Sequence, residues 1–129
     1  MGLGMLVNGQ WQKTRKQEDD QGRFVRPETD FHRWTTADGS SGFKAEAGRY
    51  HLYVSLACPW ANRTLIMREI KGLTDAISLS IVDPYMGDEG WFFSDRQGTM
   101  PDTVNQAQYL RDIYTKAKPD ISGRVTVPV

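Results

Sequence analysis

The sequence predicts an α/β domain built on a strand, a helix and a second strand that follow one another along the chain. Residues 50–54 (YHLYV) alternate with the two-residue period of a strand, with Leu52 and Val54 on one face. From Pro59 onward the apolar residues recur at the spacing of a helix, and residues 77–82 (ISLSIV) alternate again. A unit of this kind places its two strands parallel in one sheet, with a right-handed crossover.

The predicted helix has one apolar stripe, which is the side that an amphipathic helix turns toward a core. Gly72 lies where this helix is expected to end. The stripe consists of Ala61, Leu65, Ile66, Ile70 and Leu73.

Residues 1–48 are predicted to form an N-terminal extension that precedes the domain of residues 49–129. Asn8 and Gly9 both tolerate positive φ and separate two short apolar pieces, which predicts a small hairpin. The polar segment after it lacks periodicity and is expected to be an extended or loop-like arm, followed by an irregular glycine-containing stretch. Three aromatic residues are expected to attach this arm to the domain: Phe24, Phe31 and Trp34.

The second half of the chain is predicted to contain a long loop, a helix and a final strand. Residues 83–102 are rich in Gly, Asp and Pro, and loops of that length in a compact domain tend to be functional. Asp102 or Thr103 is the expected cap of the second helix, with Pro119 beyond its end. Its apolar face is predicted to comprise Val104, Ala107, Leu110, Ile113, Tyr114 and Ala117. Residues 125–129 (VTVPV) are predicted to be a strand.

Composition and charge argue against several classes of function. The chain of 129 residues is 39% hydrophobic and 25% charged, which is ordinary for one soluble globular domain. Its 16 basic and 16 acidic residues leave no net field for nucleic acid or an anionic membrane. Two isolated histidines and one cysteine do not have metal-ligand spacing, so no metal site is expected. No apolar run approaches the roughly 20 residues of a membrane span, no signal peptide is expected at the N-terminus, and one unpaired cysteine favours a cytoplasmic protein.

Cys58 is the candidate nucleophile. It lies at the junction between the first strand and the helix, and Pro59 suits the first helical position because its missing N–H would have no partner inside the helix. The unpaired N–H groups and the positive end of the helix dipole favour a thiolate, which is the reactive form. A lone cysteine is more often a small apolar core residue, but this position favours the reactive interpretation.

The Val-Pro-Val ending makes a second prediction about the site. Proline cannot donate in a sheet ladder, so Pro128 is expected at an edge, at the start of a strand, or after a cis peptide bond at which the chain turns. Because one residue follows it, this segment cannot complete an ordinary sheet, which indicates an interrupted chain.

These features together resemble the thioredoxin fold, in which a loop with a cis-proline packs beside the reactive cysteine. Ala61 stands where a dithiol site would have its second cysteine, so a small external thiol must resolve any mixed disulfide. Longer phrases resemble the glutathionyl-hydroquinone reductases, also called xi-class glutathione transferases. The phrases are YHLYVSLACPWA at 50–61, NGQW at 8–11, FHRWTTADG at 31–39, GW at 90–91 and SGRVTVPV at 122–129.

The resemblance covers this whole chain but less than half of a family member. It implies the N-terminal, thioredoxin-like domain of a glutathione transferase, interrupted before its last strands. It also implies that this chain lacks the Glu-Ser pair that holds the γ-glutamyl end of glutathione, and the helical C-terminal domain that supplies much of the quinone site and the dimer.

The resemblance also implies roles for single residues. Cys58 would attack the sulfur of a glutathionyl-hydroquinone, expel the hydroquinone and keep glutathione as a mixed disulfide, which a second glutathione would release as oxidised glutathione. Val127, before a cis-Pro128, would offer its backbone to the cysteinyl part of glutathione. Trp91 would lie against the tripeptide. Arg124 is a candidate anion partner or, equally, a solvated charge at a strand start.

Asn62 departs from the family pattern, because the phrase usually continues CPWAHR and this chain has no histidine there. We expect this change to alter the rate of the reaction more than the kind of reaction. Two further functions stay open: a non-catalytic or weakly active thioredoxin-like fragment, and a monothiol glutaredoxin-like thiol transferase. An uncovered sheet edge also predicts self-association into a homo-oligomer.

Overall fold

The computed structural model describes residues 4–13, 18–26 and 28–129. Within these residues the elements are β1 (Met5–Val7), β2 (Gln10–Gln12), β3 (Tyr50–Val54), α1 (Pro59–Ile70), β4 (Ile77–Ile81) and α2 (Leu110–Ala117). They form two two-stranded sheets, the antiparallel pair β1–β2 and the parallel pair β3–β4.

The strand, helix, strand unit is confirmed. β3 and β4 pair in parallel with Tyr50 opposite Ile77 and Val54 opposite Ile81. α1 connects them and ends one residue before its cap at Lys71, and Gly72 follows with a φ of 62°. A positive φ at this position is the conformation that glycine adopts after a helix.

The N-terminal hairpin is also confirmed, and it packs on the domain. Asn8 and Gly9 have φ of 47° and 75°, which is the left-handed conformation that a tight hairpin turn requires. The backbones of Leu6 and Gly123 exchange two hydrogen bonds of 2.9 Å, so β1 lies beside the segment before the Val-Pro-Val ending. The Leu6 side chain is buried, so the hairpin contributes to the core.

One hydrophobic cluster joins distant parts of the chain. Half-buried Trp11, Cys58, Trp91, Phe93 and Ile113 pack against it. Its buried members are Leu6, Tyr53, Val82, Leu110, Tyr114, Ile121, Val125 and Val127. The predicted cysteine thus lies at the margin of the core and is not enclosed in it.

The predicted start of the second helix was wrong. α2 begins at Leu110, and the residues after Asp102 form turns instead. The N-cap of α2 is Tyr109, and neither Asp102 nor Thr103 caps the helix. The Asp102 carboxylate instead accepts the N–H groups of Val104, Asn105 and Ala107 at 3.0 to 3.1 Å. A carboxylate that satisfies this many backbone donors in a turn competes with helix formation.

The prediction of one core-facing stripe on α1 was wrong for part of the stripe. Ala61 is fully buried, but Ile66 and Ile70 are 47% and 71% exposed. Met67 and Trp60 are exposed on the same helix. α1 therefore has a second, solvent-facing apolar side, which we call the outer face of α1 and define by Trp60, Ile66, Met67 and Ile70.

The expected attachment of the arm by aromatic residues was correct only for Phe31, whose ring meets Tyr114 edge-on at 6.0 Å. Phe24 and Trp34 are 62% and 78% exposed. An ion pair provides a further attachment, since Lys118 Nζ lies 2.8 Å from a carboxylate oxygen of Asp30. The described part of the arm is irregular, as expected, and the expectation for residues 14–17 and 27 lies outside the described residues.

The predicted final strand is not formed as a regular strand. Val129 alone adds to the sheet, where it exchanges two backbone hydrogen bonds of 2.7 and 3.1 Å with Tyr53 of β3. None of the helices in the described ranges combines the length and the apolar character that crossing a membrane requires. The same residues include no group of three or more acidic, histidine or cysteine side chains that could hold a metal ion.

Candidate functional site

Cys58 is the N-cap residue of α1. Its backbone is extended, with φ −102° and ψ 117°, and Pro59 follows as the first helical residue. The Cys58 side chain makes no capping hydrogen bond, and the first turn of α1 contains no acidic residue. The half-buried Cys58 therefore lies at a helix start, where backbone N–H groups lack partners within the helix.

Val127 is the residue that the fold brings to Cys58 from the other end of the chain. The thiol of Cys58 donates to the Val127 carbonyl oxygen at 3.5 Å, across 69 positions of sequence. The Val127–Pro128 peptide bond is cis. Within the described residues the Val127 N–H has no hydrogen-bond acceptor, although the residue is buried. An unpaired backbone donor thus lies beside the sulfur, where an extended peptide could pair with it.

Tyr114 of α2 holds the segment that carries Val127. Its hydroxyl donates to the Thr126 carbonyl at 2.9 Å and accepts the Thr126 N–H at 3.3 Å. Sequence reasoning placed Tyr114 only on the apolar face of a helix and missed this role. A tyrosine at a buried helix position is a signal for such a bond, because a buried phenol needs a polar partner.

Trp91 lies in the long loop between β4 and α2. Its half-buried side chain packs against the core cluster, to which Val127 belongs. Its carbonyl accepts the N–H of Leu110 at 3.0 Å, and Phe93 donates to the Gln108 carbonyl at 2.9 Å. The loop is therefore fixed to the start of α2 by backbone hydrogen bonds.

Arg124 is half-buried and lines a cavity of about 440 Å³ between the arm and residues 121–126. Arg26, His32 and Thr126 also line this cavity. Across the described chain Arg124 has no ion-pair partner, so its guanidinium is available to an anion. The cavity reaches Thr126, the neighbour of Val127.

The structure thus brings together some of the predicted site residues. Cys58 and Val127 are in contact, and Trp91 borders the same core. Arg124 contacts neither Cys58 nor Trp91 through any hydrogen bond or ion pair of the described residues. Asn62 is exposed, and its backbone N–H donates to the Cys58 carbonyl at 3.1 Å as part of the helix.

A polar network that the sequence did not reveal lies under the β3–β4 sheet. The Tyr53 hydroxyl donates to Asp102 at 3.0 Å, and burial raises the pKa of Tyr53 to about 12. Burial opposes ionisation of Asp102, but hydrogen bonds from backbone N–H groups and from Tyr53 lower its pKa below the usual value. The side chain of His51 lies between Ser78 and Ser80, at 2.6 and 2.8 Å.

The comparison with curated proteins identifies clear relatives. The chain is 49% identical over 135 residues to the glutathionyl-hydroquinone reductase YqjG of Escherichia coli, and 45% identical over 128 residues to the glutathionyl-hydroquinone reductase PcpF of Sphingobium chlorophenolicum. Each alignment covers 98% of this chain. The chain spans 41% and 40% of the length of these two relatives. No protein-family model matches the chain.

Solved structures agree in fold. A xi-class glutathione transferase from Natrialba magadii superposes with a TM-score of 0.86 at 47% identity, over 99% of this chain and 38% of that protein. The glutathione-bound structure of E. coli YqjG superposes with a TM-score of 0.79 at 45% identity, over 98% of this chain and 38% of that protein. The fold is therefore the thioredoxin-like α/β fold of a glutathione transferase N-terminal domain. In sequence and in structure, the chain is similar over nearly its whole length to a part of the glutathionyl-hydroquinone reductases of the xi class.

Proposed function

We propose that this chain carries the thiol and part of the glutathione site of an enzyme that removes glutathione from glutathionyl-hydroquinones. The observation that carries the proposal is the contact between Cys58 and Val127 at a helix start, with the Val127 N–H unpaired beside it. The similarity to proteins named glutathionyl-hydroquinone reductase supports the choice of substrate class.

In the first step the Cys58 thiolate attacks the sulfur of the thioether. A sulfur–sulfur bond forms between Cys58 and glutathione while the bond between sulfur and the aromatic carbon breaks. The electron pair leaves with the aromatic carbon, which takes up a proton to give the free hydroquinone. The sulfur is oxidised and the ring carbon is reduced, so the step needs no other reductant.

In the second step a further glutathione thiolate attacks the glutathione sulfur of the mixed disulfide. Oxidised glutathione leaves and the Cys58 thiolate is restored. Ala61 occupies the position where a resolving cysteine of a dithiol site would stand, and the chain has no second cysteine, so the external thiol is required.

Three other residues would hold the glutathione. The Val127 N–H and C=O would pair with the cysteinyl residue in the manner of an added strand. Trp91 would lie against the tripeptide. The unpaired guanidinium of Arg124 would bind a carboxylate, and charge-assisted hydrogen bonds of that kind contribute about 1.5 to 3 kcal/mol each.

The experiment that tests the proposal incubates the 129-residue chain with a glutathionyl-hydroquinone and glutathione and follows free hydroquinone. We expect the wild-type chain to release hydroquinone. Cys58→Ser should abolish this release, because serine cannot form the mixed disulfide. Lys71→Ala, at the exposed far end of α1, is the matched control and should keep the activity.

A second function is favoured by the outer face of α1, where four apolar side chains of the helix that follows Cys58 are exposed. If turnover requires this surface to be covered, the chain by itself is a weakly active or non-catalytic thioredoxin-like module. In the same assay, no release of hydroquinone together with formation of a Cys58–glutathione disulfide would favour this module. Activity on a glutathionylated peptide but not on the thioether would instead indicate a monothiol glutaredoxin-like transferase.

A further inference from the structure

Trp11 of the N-terminal hairpin lies against the loop that carries Trp91. The indole N–H of Trp11 donates to the Asp88 carbonyl at 3.0 Å. A Cβ atom added to Gly90 would lie 2.9 Å from the Trp11 ring, so the ring rests directly on the Gly90 backbone. Gly90 has a φ of 80°, which also favours glycine at this point. The contact reaches the residue next to Trp91 from a part of the chain 79 positions earlier.

Arg111 of α2 contacts both the Trp11 ring and the loop. Its guanidinium lies over the Trp11 ring at 5.2 Å and over the Tyr109 ring at 4.1 Å. It also forms an ion pair of 2.9 Å with Glu89 and donates to the Glu89 carbonyl. Glu89 in turn pairs with Lys13 of the hairpin at 2.6 Å. The Arg111 side chain is largely buried, so these bonds are less screened than those of an exposed pair.

The same hairpin is bonded to the segment that leads to Val127. Leu6 exchanges its two backbone bonds with Gly123, and Gly9 donates to the Ile121 carbonyl at 2.9 Å. Asn8 adds a bond of 2.8 Å from its N–H to the Ser122 hydroxyl. The hairpin therefore contacts both the loop that carries Trp91 and the segment that leads to Val127. In the sequence these two segments are separated by α2.

We propose that Trp11 is a positioning residue of the glutathione site, which fixes Trp91 at the distance from Val127 that the tripeptide needs. Trp11 touches neither Cys58 nor any reacting atom, so it acts through the Asp88–Trp91 backbone and through the hairpin. The inference rests on the function proposed above. The hairpin thus takes part in substrate recognition by holding Trp91 in place. A displacement of about 1 Å in a positioning group can lower a rate by about a hundredfold.

The test compares two disulfides that Cys58 attacks by the same exchange reaction. The thiolate forms a bond to one sulfur and the other half leaves as its thiolate. Efficient reaction with glutathione disulfide should require the residues that bind the tripeptide. Hydroxyethyl disulfide has no peptide groups, so its reaction should require only the Cys58 sulfur. The ratio of the two second-order rate constants is measured for the wild-type chain and for Trp11→Ala, Trp11→Phe and Trp34→Ala.

We expect Trp11→Ala to lower the ratio by about tenfold, which corresponds to 1.4 kcal/mol of lost recognition. Trp11→Phe keeps a ring on Gly90 but loses the bond to Asp88, so the loss should be smaller, about threefold. Trp34→Ala is the matched control, because Trp34 is 78% exposed, and it should keep the wild-type ratio. If Trp11→Ala does not fold, Trp11→Phe decides the question alone.

Two results would overturn the inference and leave the proposed function intact. One is a wild-type preference for glutathione disulfide that both Trp11 variants retain. The other is an equal loss of rate with both disulfides, which would mean that Trp11 only stabilises the fold. A wild-type chain without any preference for glutathione disulfide would instead contradict the proposed glutathione site itself, and the inference would fail with it.

Discussion

Cys58 shows how position within the fold gives a residue its chemistry. The side chain has no capping bond to make and no acidic neighbour in its helical turn, and its nearest polar partner is a backbone carbonyl. The residue is half-buried and borders the core, so it is held by packing and remains partly exposed to solvent.

His51 is the residue from which we predict a pH-dependent stability. Ser80 donates to the Pro101 carbonyl at 2.7 Å, so its oxygen is free to accept from Nε2–H of His51, and Nδ1 accepts from Ser78. Burial lowers the pKa of His51, although the charge of Asp102 opposes the shift. The folded state therefore favours the neutral imidazole.

A lowered folded-state pKa gives stability that is fully present above the unfolded value of about 6.5 and is lost as the pH falls through the folded value. We expect the free energy of unfolding, measured in urea, to decrease below about pH 6.5 in the wild-type chain. His51→Gln should remove this part of the pH dependence, while His32→Gln in the arm should retain it. An unchanged pH profile in His51→Gln would contradict the assignment.

At the level of elements, the turn that begins at Asp102 determines where α2 starts. Its carboxylate accepts three backbone N–H groups and the Tyr53 hydroxyl, which links the turn to β3. α2 then begins with a reciprocal pair. The Asp112 carboxylate accepts the Tyr109 N–H at 3.3 Å, and the Asp112 N–H donates to the Tyr109 carbonyl at 3.1 Å. The helix is short because the residues after Asp102 form a turn instead of further helix.

We predict that Asp102→Ala destabilises the chain by about 2 to 4 kcal/mol, because it leaves the buried Tyr53 hydroxyl and three partly buried backbone N–H groups without an acceptor. The free energy of unfolding from urea titration is the measurement. Asp120→Ala, at an exposed position after α2, is the control and should change stability by less than about 0.5 kcal/mol. A loss as small as that of the control would show that the turn does not depend on the carboxylate.

At the level of the whole molecule, the outer face of α1 is an apolar surface that the described fold leaves uncovered. Its four apolar side chains lie on the helix that begins at Cys58, and Leu56 beside that helix start is 59% exposed. The relatives are more than twice as long as this chain. Contiguous exposed apolar side chains favour association, because contact removes them from water.

We therefore predict that the 129-residue chain self-associates in a concentration-dependent way, as sedimentation velocity would show. Ile70→Lys should shift the distribution toward the monomer, since it places a charge on the outer face, where Ile70 is 71% exposed. Val104→Lys, at an exposed apolar position before α2, is the control and should associate like the wild type. A wild-type chain that remains monomeric at high concentration would show that the outer face does not mediate association.

The sequence by itself determined several local elements and singled out Cys58 as the candidate nucleophile. The two-residue period defined β3 and β4, the Asn8-Gly9 pair defined the hairpin, and Pro59 after Cys58 marked the helix start. Each of these signals lies within a few adjacent residues, because backbone preferences and capping act over one or two turns. The resemblance carried by the longer phrases identified the fold before any contact was known.

Only the tertiary structure decided the rest, because those features depend on residues far apart in the chain. The start of α2 followed from a bond between Asp102 and β3, and the exposure of Ile70 followed from which side of α1 the sheet covers. The contact of Cys58 with Val127 and that of Trp11 with the Trp91 loop join positions about 70 to 80 residues apart. No periodic pattern records such pairs, since packing and hydrogen bonding select them only when the chain folds.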